Sequence, residues 1–292
     1  MHRAAREEHV AADRLQFASL EPVRIGMPEL CHAGLSENWL LKACGHRHWL
    51  ALAHAHGQDT ADFRDADGER LYPAFTSVRI EHGRLGAVVE HDVLHFEVEL
   101  CRIGRTRYRS RIAVRSAGTS VATLVMESAF VRRTRRGENR SAARSVVARP
   151  CRLLPPLTPQ RPAAAPELEG LSLLGAADKP ELIFDPAPHE DFNGADFLYF
   201  AAFQAIVDRA EWQWFRQCEP LLVTIQRTIV YLGNIELGER VRAVLRGLRE
   251  EGGSLFHEVE LSRLSDNAVI ARSYTRRGAQ RKCLSVGHQS RA

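Results

Sequence analysis

Two stretches of this sequence carry the residues needed to hold hydrogen-bond donors at the start of a helix. In Gly34-Leu35-Ser36-Glu37-Asn38, Ser36 is a good N-cap and Glu37 adds an acidic group to the first turn. The second stretch is Asp191-Phe192-Asn193-Gly194. Backbone N–H groups at a helix start lack intrahelical partners, and the helix dipole favours negative charge there. Such a start can stabilise a carbonyl oxygen that gains charge in a reaction, with Asn38 and Asn193 adding amide donors. Ser36 and Gly194 would then lie against the bound group. Asp191 and Asp208 are candidate acid/base groups; the alternative is that they cap helices or pair with arginines such as Arg209. Arg132 and Arg133, in a cluster with Arg135 and Arg136, form either a solvated strand end or a contact to phosphates of a cofactor or carrier. His46, His48, His54 and His56 have i, i+2 spacings that do not share a helix face, so they read as surface or packing groups and no metal is expected. The Gly34 stretch is not a G-x-S-x-G nucleophile elbow, because its fifth residue is not glycine, and no phosphate-binding glycine motif is present.

The elements that must position these groups come in two similar sets. Gly34 and Gly194 each lead into a helical stretch and then a run of strands, and Ala129-Phe130-Val131-Arg132-Arg133 is matched by Ser273-Tyr274-Thr275-Arg276-Arg277. The first helix runs from Ser36 towards Leu52, with a break possible at Gly45. Strand-like segments follow over Tyr72–Ile80, Val93–Ile103, Tyr108–Val114 and Ser120–Arg132, and their short turns predict an antiparallel meander. Ala195–Phe215 is apolar on nearly every side before Asp208, which predicts a helix buried inside other elements. Its wrapping would come from Leu221–Leu232, Glu239–Leu248, Ser254–Leu261 and Ala268–Thr275. The expected organisation is an N-terminal extension over 1–25, which could form a loose helix, a first domain over 26–149, a proline-rich linker over 150–180, a second domain over 181–280 and a tail over 281–292. The groove between the halves is the expected site.

Composition narrows the function classes. The chain has 292 residues, 45% of them hydrophobic and 26% charged, enough for a large core. No run of 18 uncharged apolar residues suggests a membrane span, and the N-terminus does not read as a secretory signal, so a cytoplasmic location is the expectation. Six scattered cysteines without a C-x-x-C pair read as free thiols. The net charge of +4 suits an anionic small ligand or an acidic partner and does not indicate nucleic acid.

Leu35-Ser36-Glu37-Asn38-Trp39-Leu40-Leu41-Lys42, Leu71-Tyr72-Pro73-Ala74-Phe75 and Asp191-Phe192-Asn193-Gly194 are among several stretches that resemble a bacterial family of double-hot-dog acyltransferase/decarboxylases of the kind found in the leinamycin pathway. The others in the first half are Gly26-Met27-Pro28-Glu29-Leu30 and Gly45-His46-Arg47-His48-Trp49. In the second half they are Leu198-Tyr199-Phe200-Ala201 and Asp208-Arg209. The resemblance implies an α+β double hot dog, two tandem repeats of a long helix wrapped by an antiparallel sheet. It also implies decarboxylation of a (methyl)malonyl-CoA-type thioester and transfer of the acyl group to an acyl carrier protein, with the key tyrosine at Tyr72. No cofactor beyond the CoA thioester substrate is then required. The expected partners are acyl-CoA and an acyl carrier protein, without nucleic acid or membrane. Two hot dogs in one chain mimic a dimer, so a further homo-oligomer is compatible with either reading.

An enolate formed by decarboxylation needs donors aimed at the thioester oxygen. A tyrosine hydroxyl can be such a donor more readily than a nucleophile, since a phenol with a pKa of about 10 is mostly protonated at neutral pH. Two other readings stay open: hydrolysis of acyl-CoA or acyl-carrier thioesters through Asp191, and a non-catalytic acyl-binding module. Dehydration is disfavoured because only His32 and His189 lie near a helix start.

Overall fold

In the computed structural model the two halves of the chain build the same strand order. The structure describes residues 10–11, 14–149, 151, 154, 172–173, 179–216 and 222–279. The prolines from 155 to 166 and the tail at 281–292 lie outside the described residues. The first half contains β1 (Arg14–Arg24), α1 (Glu37–Ala55), β2 (Arg70–Glu81), β3 (Val93–Arg102), β4 (Arg107–Ser116) and β5 (Thr119–Arg133). The second contains β6 (Glu181–Phe184), α2 (Phe200–Phe215), β7 (Leu222–Tyr231), β8 (Val241–Glu251), β9 (Ser254–Arg263) and β10 (Val269–Ala279). The order is β1-β3-β4-β5-β2 in the first half and β7-β10-β9-β8-β6 in the second, each the reverse of the other. β2 and β7 pair antiparallel, from Ser77 opposite Val230 to Ile80 opposite Arg227, and fuse the halves into one sheet. Each half wraps its helix, so the chain is a double hot dog.

Several expectations need correction. Residues 14–24 are not a loose helix but strand β1, pairing with β3 at Leu15 and Leu100, so the first half starts before residue 26. The strands do not form a simple meander: β2 lies beside β5, because the connection at residues 82–92 carries the chain away before β3 begins. Gly45 does not break α1, which is continuous from Glu37 to Ala55. α2 begins at Phe200 rather than Ala195, since residues 193–196 form a tight turn in which the Asp196 N–H donates to the Asn193 carbonyl.

That turn separates the two copies. The helices start 200 − 37 = 163 residues apart, whereas Gly34 and Gly194 are 160 apart. The glycines are therefore not equivalent. Gly34 has a φ of +116°, and a Cβ there would stand 2.4 Å from the Leu85 carbonyl oxygen, so backbone approaches backbone only because the side chain is absent. Gly194 is open, with nothing near its notional Cβ.

The core follows the two periodicities. β3 sends Leu94, Phe96, Val98 and Leu100 inward at every second residue, and α1 lays Leu40, Leu41, Cys44 and Leu52 over them. Around α2 a second core gathers Phe203, Ile206, Val207 and Ala210 against β7, β8, β9 and β10. Each large buried side chain contributes about 1.5–3 kcal/mol. Phe200 and Ala201, at the start of α2, belong to the first core instead, so this helix start reaches across the division between halves. Among the described residues no helix is long and apolar enough to cross a membrane.

Candidate active site between the two halves

A cavity of about 790 Å³ opens where the start of α2 faces β2. Tyr72 to Thr76 of β2 form one wall, the turn at Asn193, Gly194 and Ala195 with Tyr199 and Phe200 forms the opposite one, and Trp49, Phe203 and Tyr231 add aromatic surface. Tyr72, Asn193 and Gly194 are thus brought together from positions more than a hundred residues apart in the chain. The Tyr72 ring meets Phe197 edge-on at 5.7 Å, and its hydroxyl has no hydrogen-bond partner among the described residues. Asn193 spends its side-chain oxygen on the turn, accepting from the N–H of Ala195 (3.0 Å) and of Phe197 (3.2 Å). Asp196 holds the left-handed backbone conformation that this turn demands, with a φ of +59°.

The turn is braced from both halves. Asn234 accepts from the Leu198 N–H at 2.9 Å and donates back to the Leu198 carbonyl at 3.1 Å. Arg133 donates to the Ala195 carbonyl and lies 4.0 Å over the Phe197 ring. Its guanidinium also grips the Asn139 side-chain oxygen, whose amide nitrogen donates to the carbonyls of Asp196 (2.6 Å) and Ile235 (2.7 Å). Asn139 is buried, so Asn139→Ala takes the amide donor from two carbonyls and leaves Arg133 only the Ala195 carbonyl and the Phe197 ring. The expected loss is about 2 kcal/mol in a urea unfolding curve. The Tyr231 hydroxyl donates to the Phe200 carbonyl at 3.1 Å, and burial raises its pKa. Burial also pushes Tyr199 up to about 12, so it stays protonated at neutral pH.

Other candidates stand elsewhere. Ser36 caps α1 by accepting from the Trp39 N–H, and Asn38 donates its amide to the Ala201 carbonyl (2.7 Å) and to Gln204 (3.1 Å), holding α1 against α2. Neither lines the cavity. Arg132 pairs with Asp65 at 2.7 Å and with Asp67 at 3.2 Å, and Arg133 is committed to the turn, so both arginines act on protein groups here. Asp191 is buried behind the turn, where its carboxylate accepts from the Ala187 N–H at 2.8 Å and its carbonyl accepts from the Tyr199 N–H. Asp208 pairs with Arg277.

The start of α1 shows why the cavity is one-sided. In place of open space, Glu37 meets Arg227 of β7 at 2.6 Å and accepts from the Thr224 hydroxyl at 2.7 Å. Arg227, itself 1% exposed, also holds Glu211 of α2 at 2.8 Å, and Glu211 accepts from His257 Nε2 at 2.6 Å. Arg277 closes the network on Glu211. Burial alone would raise the Glu211 pKa, but Arg227, Arg277 and His257 hold it well below the usual carboxylate range. Burial raises Glu37, with Arg227 opposing it. Sequence reasoning missed this network, although a signal existed: Arg227 is a lone charge inside an apolar stretch. Its counterpart in the first half is His48, eleven residues after its helix start (48 − 37) as Glu211 is after its own (211 − 200). The two His48 ring nitrogens meet the Ser110 and Ser128 hydroxyls, each at 2.8 Å.

No protein-family model and no curated protein sequence matches the chain. Solved structures do. A 12:0-ACP thioesterase from Umbellularia californica superposes with a TM-score of 0.65 at 13% identity, covering 91% of this chain and 94% of that one. An acyl-ACP thioesterase from Bacteroides thetaiotaomicron gives 0.56 at 12% identity, covering 90% and 96%. A TesB protein from Mycobacterium avium subsp. paratuberculosis gives 0.51 at 12% identity, covering 94% and 95%. At these identities the similarity is one of fold, and it spans nearly the whole of each chain.

Proposed function

We propose that this chain is an enzyme acting on acyl thioesters, with the acyl group held in the cavity between β2 and α2. The observation that carries this reading is the convergence of an aromatic cavity, a helix start and the unpartnered Tyr72 hydroxyl at one place. In the first turn of α2 the Ala202 N–H is taken by the Tyr199 carbonyl, which leaves those of Phe200 and Ala201 as donors, and Phe200 lines the cavity together with Tyr72 and the Asn193 turn. A thioester carbonyl lodged there would meet donors in place before any charge develops.

Hydrolysis is the reaction favoured by the fold neighbours, two of which are described as acyl-carrier thioesterases. One observation favours a second reading, decarboxylation of a malonyl-type thioester with transfer of the acyl group to a carrier protein. Among the described residues, those lining the cavity include tyrosines, asparagines and arginines but no carboxylate, imidazole or thiol. Water attack needs a base, and the carboxylates beside the cavity, exposed Asp196 in the turn and buried Asp191 behind it, are not among its lining residues. Decarboxylation needs only donors, because the electron pair comes from the breaking C–C bond.

The two reactions separate in one assay. The protein is incubated with acyl-CoAs of several lengths and with methylmalonyl-CoA, with and without a holo carrier protein, and free CoA, carbon dioxide and acyl-carrier are measured. Tyr72→Phe should lower kcat/KM about 10²–10³-fold with little change in stability, since its hydroxyl makes no internal bond. Loss of CoA release in Asp191→Ala with decarboxylation retained would assign hydrolysis to Asp191. Absence of every product from folded wild-type protein would remove the reading.

A further inference from the structure

We propose that Phe200, seated against the bare backbone of Gly45, forms the floor of the acyl pocket and restricts it to short acyl groups. This rests on the acyl-thioester reading above and assigns the residues that set its specificity. Phe200 projects from the first turn of α2 into the core of the other half and is 7% exposed. A Cβ built on Gly45 would stand 2.6 Å from the Phe200 ring tip and 2.9 Å from the next ring carbon. Only a residue without a side chain lets the ring lie back on α1. Gly45 is helical and does not need a left-handed backbone, so its cost of about 1 kcal/mol relative to alanine is borne for this close approach.

The ring is also held by aromatic neighbours. Phe75 lies 4.4 Å from Phe200, and Trp49 stacks on Phe75 at 6.1 Å with an interplanar angle of 13°. The Trp49 indole donates to the Pro73 carbonyl at 3.1 Å, which fixes the outer ring of the stack. All three rings line the cavity, Trp49 from α1 itself, and Gly45 does not, so Phe200 stands between the cavity and the backbone of Gly45. A chain attached to a thioester at the start of α2 would pass Tyr72 and Phe197 and end against these rings. The wall there is hydrocarbon: the buried His48, 5.1 Å from Phe75, has both nitrogens engaged by serines and offers nothing to the pocket.

The test uses S-alkyl-CoA thioethers with ethyl, butyl and octyl groups, titrated calorimetrically into wild type, Gly45→Ala, Phe200→Ala and Phe200→Leu. Thermal melts establish which variants are folded. Wild type should bind butyl better than ethyl and lose affinity at octyl. Removing the ring should raise octyl relative to ethyl by at least tenfold, and Gly45→Ala, which pushes the ring into the cavity, should lower butyl relative to ethyl by about tenfold. An unchanged length profile in the folded variants overturns the proposal, as does a wild-type affinity that climbs steadily to octyl or is absent throughout. If both Phe200 variants fail to fold, the Gly45→Ala profile decides alone. Turnover of the matching acyl-CoAs is measured in parallel. A shifted binding profile without turnover sinks the enzyme reading and leaves the pocket floor standing, whereas turnover with an unshifted profile does the reverse.

Discussion

Glu211→Ala is expected to lower the unfolding free energy by about 3–5 kcal/mol, more than any other single change considered. Glu211 is fully buried and accepts from Arg227 at 2.8 and 3.0 Å, from His257 at 2.6 Å and from Arg277. Removing it leaves the Arg227 guanidinium inside the protein with Glu37 as its main counterion. An ion left without its partner in a low-dielectric interior costs far more than the pair contributed when intact. The measurement is urea unfolding of wild type and variant at pH 7, and a loss under about 1 kcal/mol would show that water or rearrangement replaces the carboxylate. The pH dependence has a definite sign. Because Arg227, Arg277 and His257 hold the Glu211 pKa below its unfolded value, its contribution is complete above the unfolded pKa and is lost as pH falls through the folded one.

His48→Gln should remove about one proton from the acid dependence of stability. Burial lowers the His48 pKa to about 3, while the unfolded chain takes up that proton near 6.5. Between these values the unfolded state binds one more proton than the folded state. Stability therefore falls as pH drops from 6.5 towards 3, by ~1 kcal/mol per pH unit from this group. Burial likewise lowers His56 and His257, which act in the same direction, and raises Glu37, which acts in the opposite one. Comparing wild type with the variant isolates His48. Glutamine can donate to one serine and accept from the other, so the fold is retained and the slope of unfolding free energy between pH 6.5 and 4.5 is the readout. Equal slopes would show that the His48 site admits a charge.

Much of the architecture was legible because it rests on local pattern. The period-two runs of β3 to β5 and β7 to β10 lie within a few residues of their expected bounds, and turns such as Ala117-Gly118 and Gly252-Gly253 stand where hydrogen bonds must reverse. The apolar stretch before Asp208 is a buried helix. β1 was not legible: its apolar residues are interrupted by polar ones and by Pro22, and its strand character comes from pairing with β3. The site was legible in part. Tyr72, Asn193 and Gly194 share the cavity, while Asn38, equally amide-bearing at a helix start, is spent on the contact between helices.

By itself the sequence determined two helices, the strands that wrap them and two helix starts with donors, since side-chain periodicity and capping act over a few residues. Only the tertiary structure decided which start faces open space. Pairing of β2 with β7 sets each helix start against the other half's strand. At α1 that placement brings Glu37 onto Arg227 and fills the space with charge. At α2, three extra residues form the Asn193 turn, and Phe200 lies back on Gly45 so that the cavity stays open. Those contacts join residues more than 140 positions apart, and no local pattern encodes them.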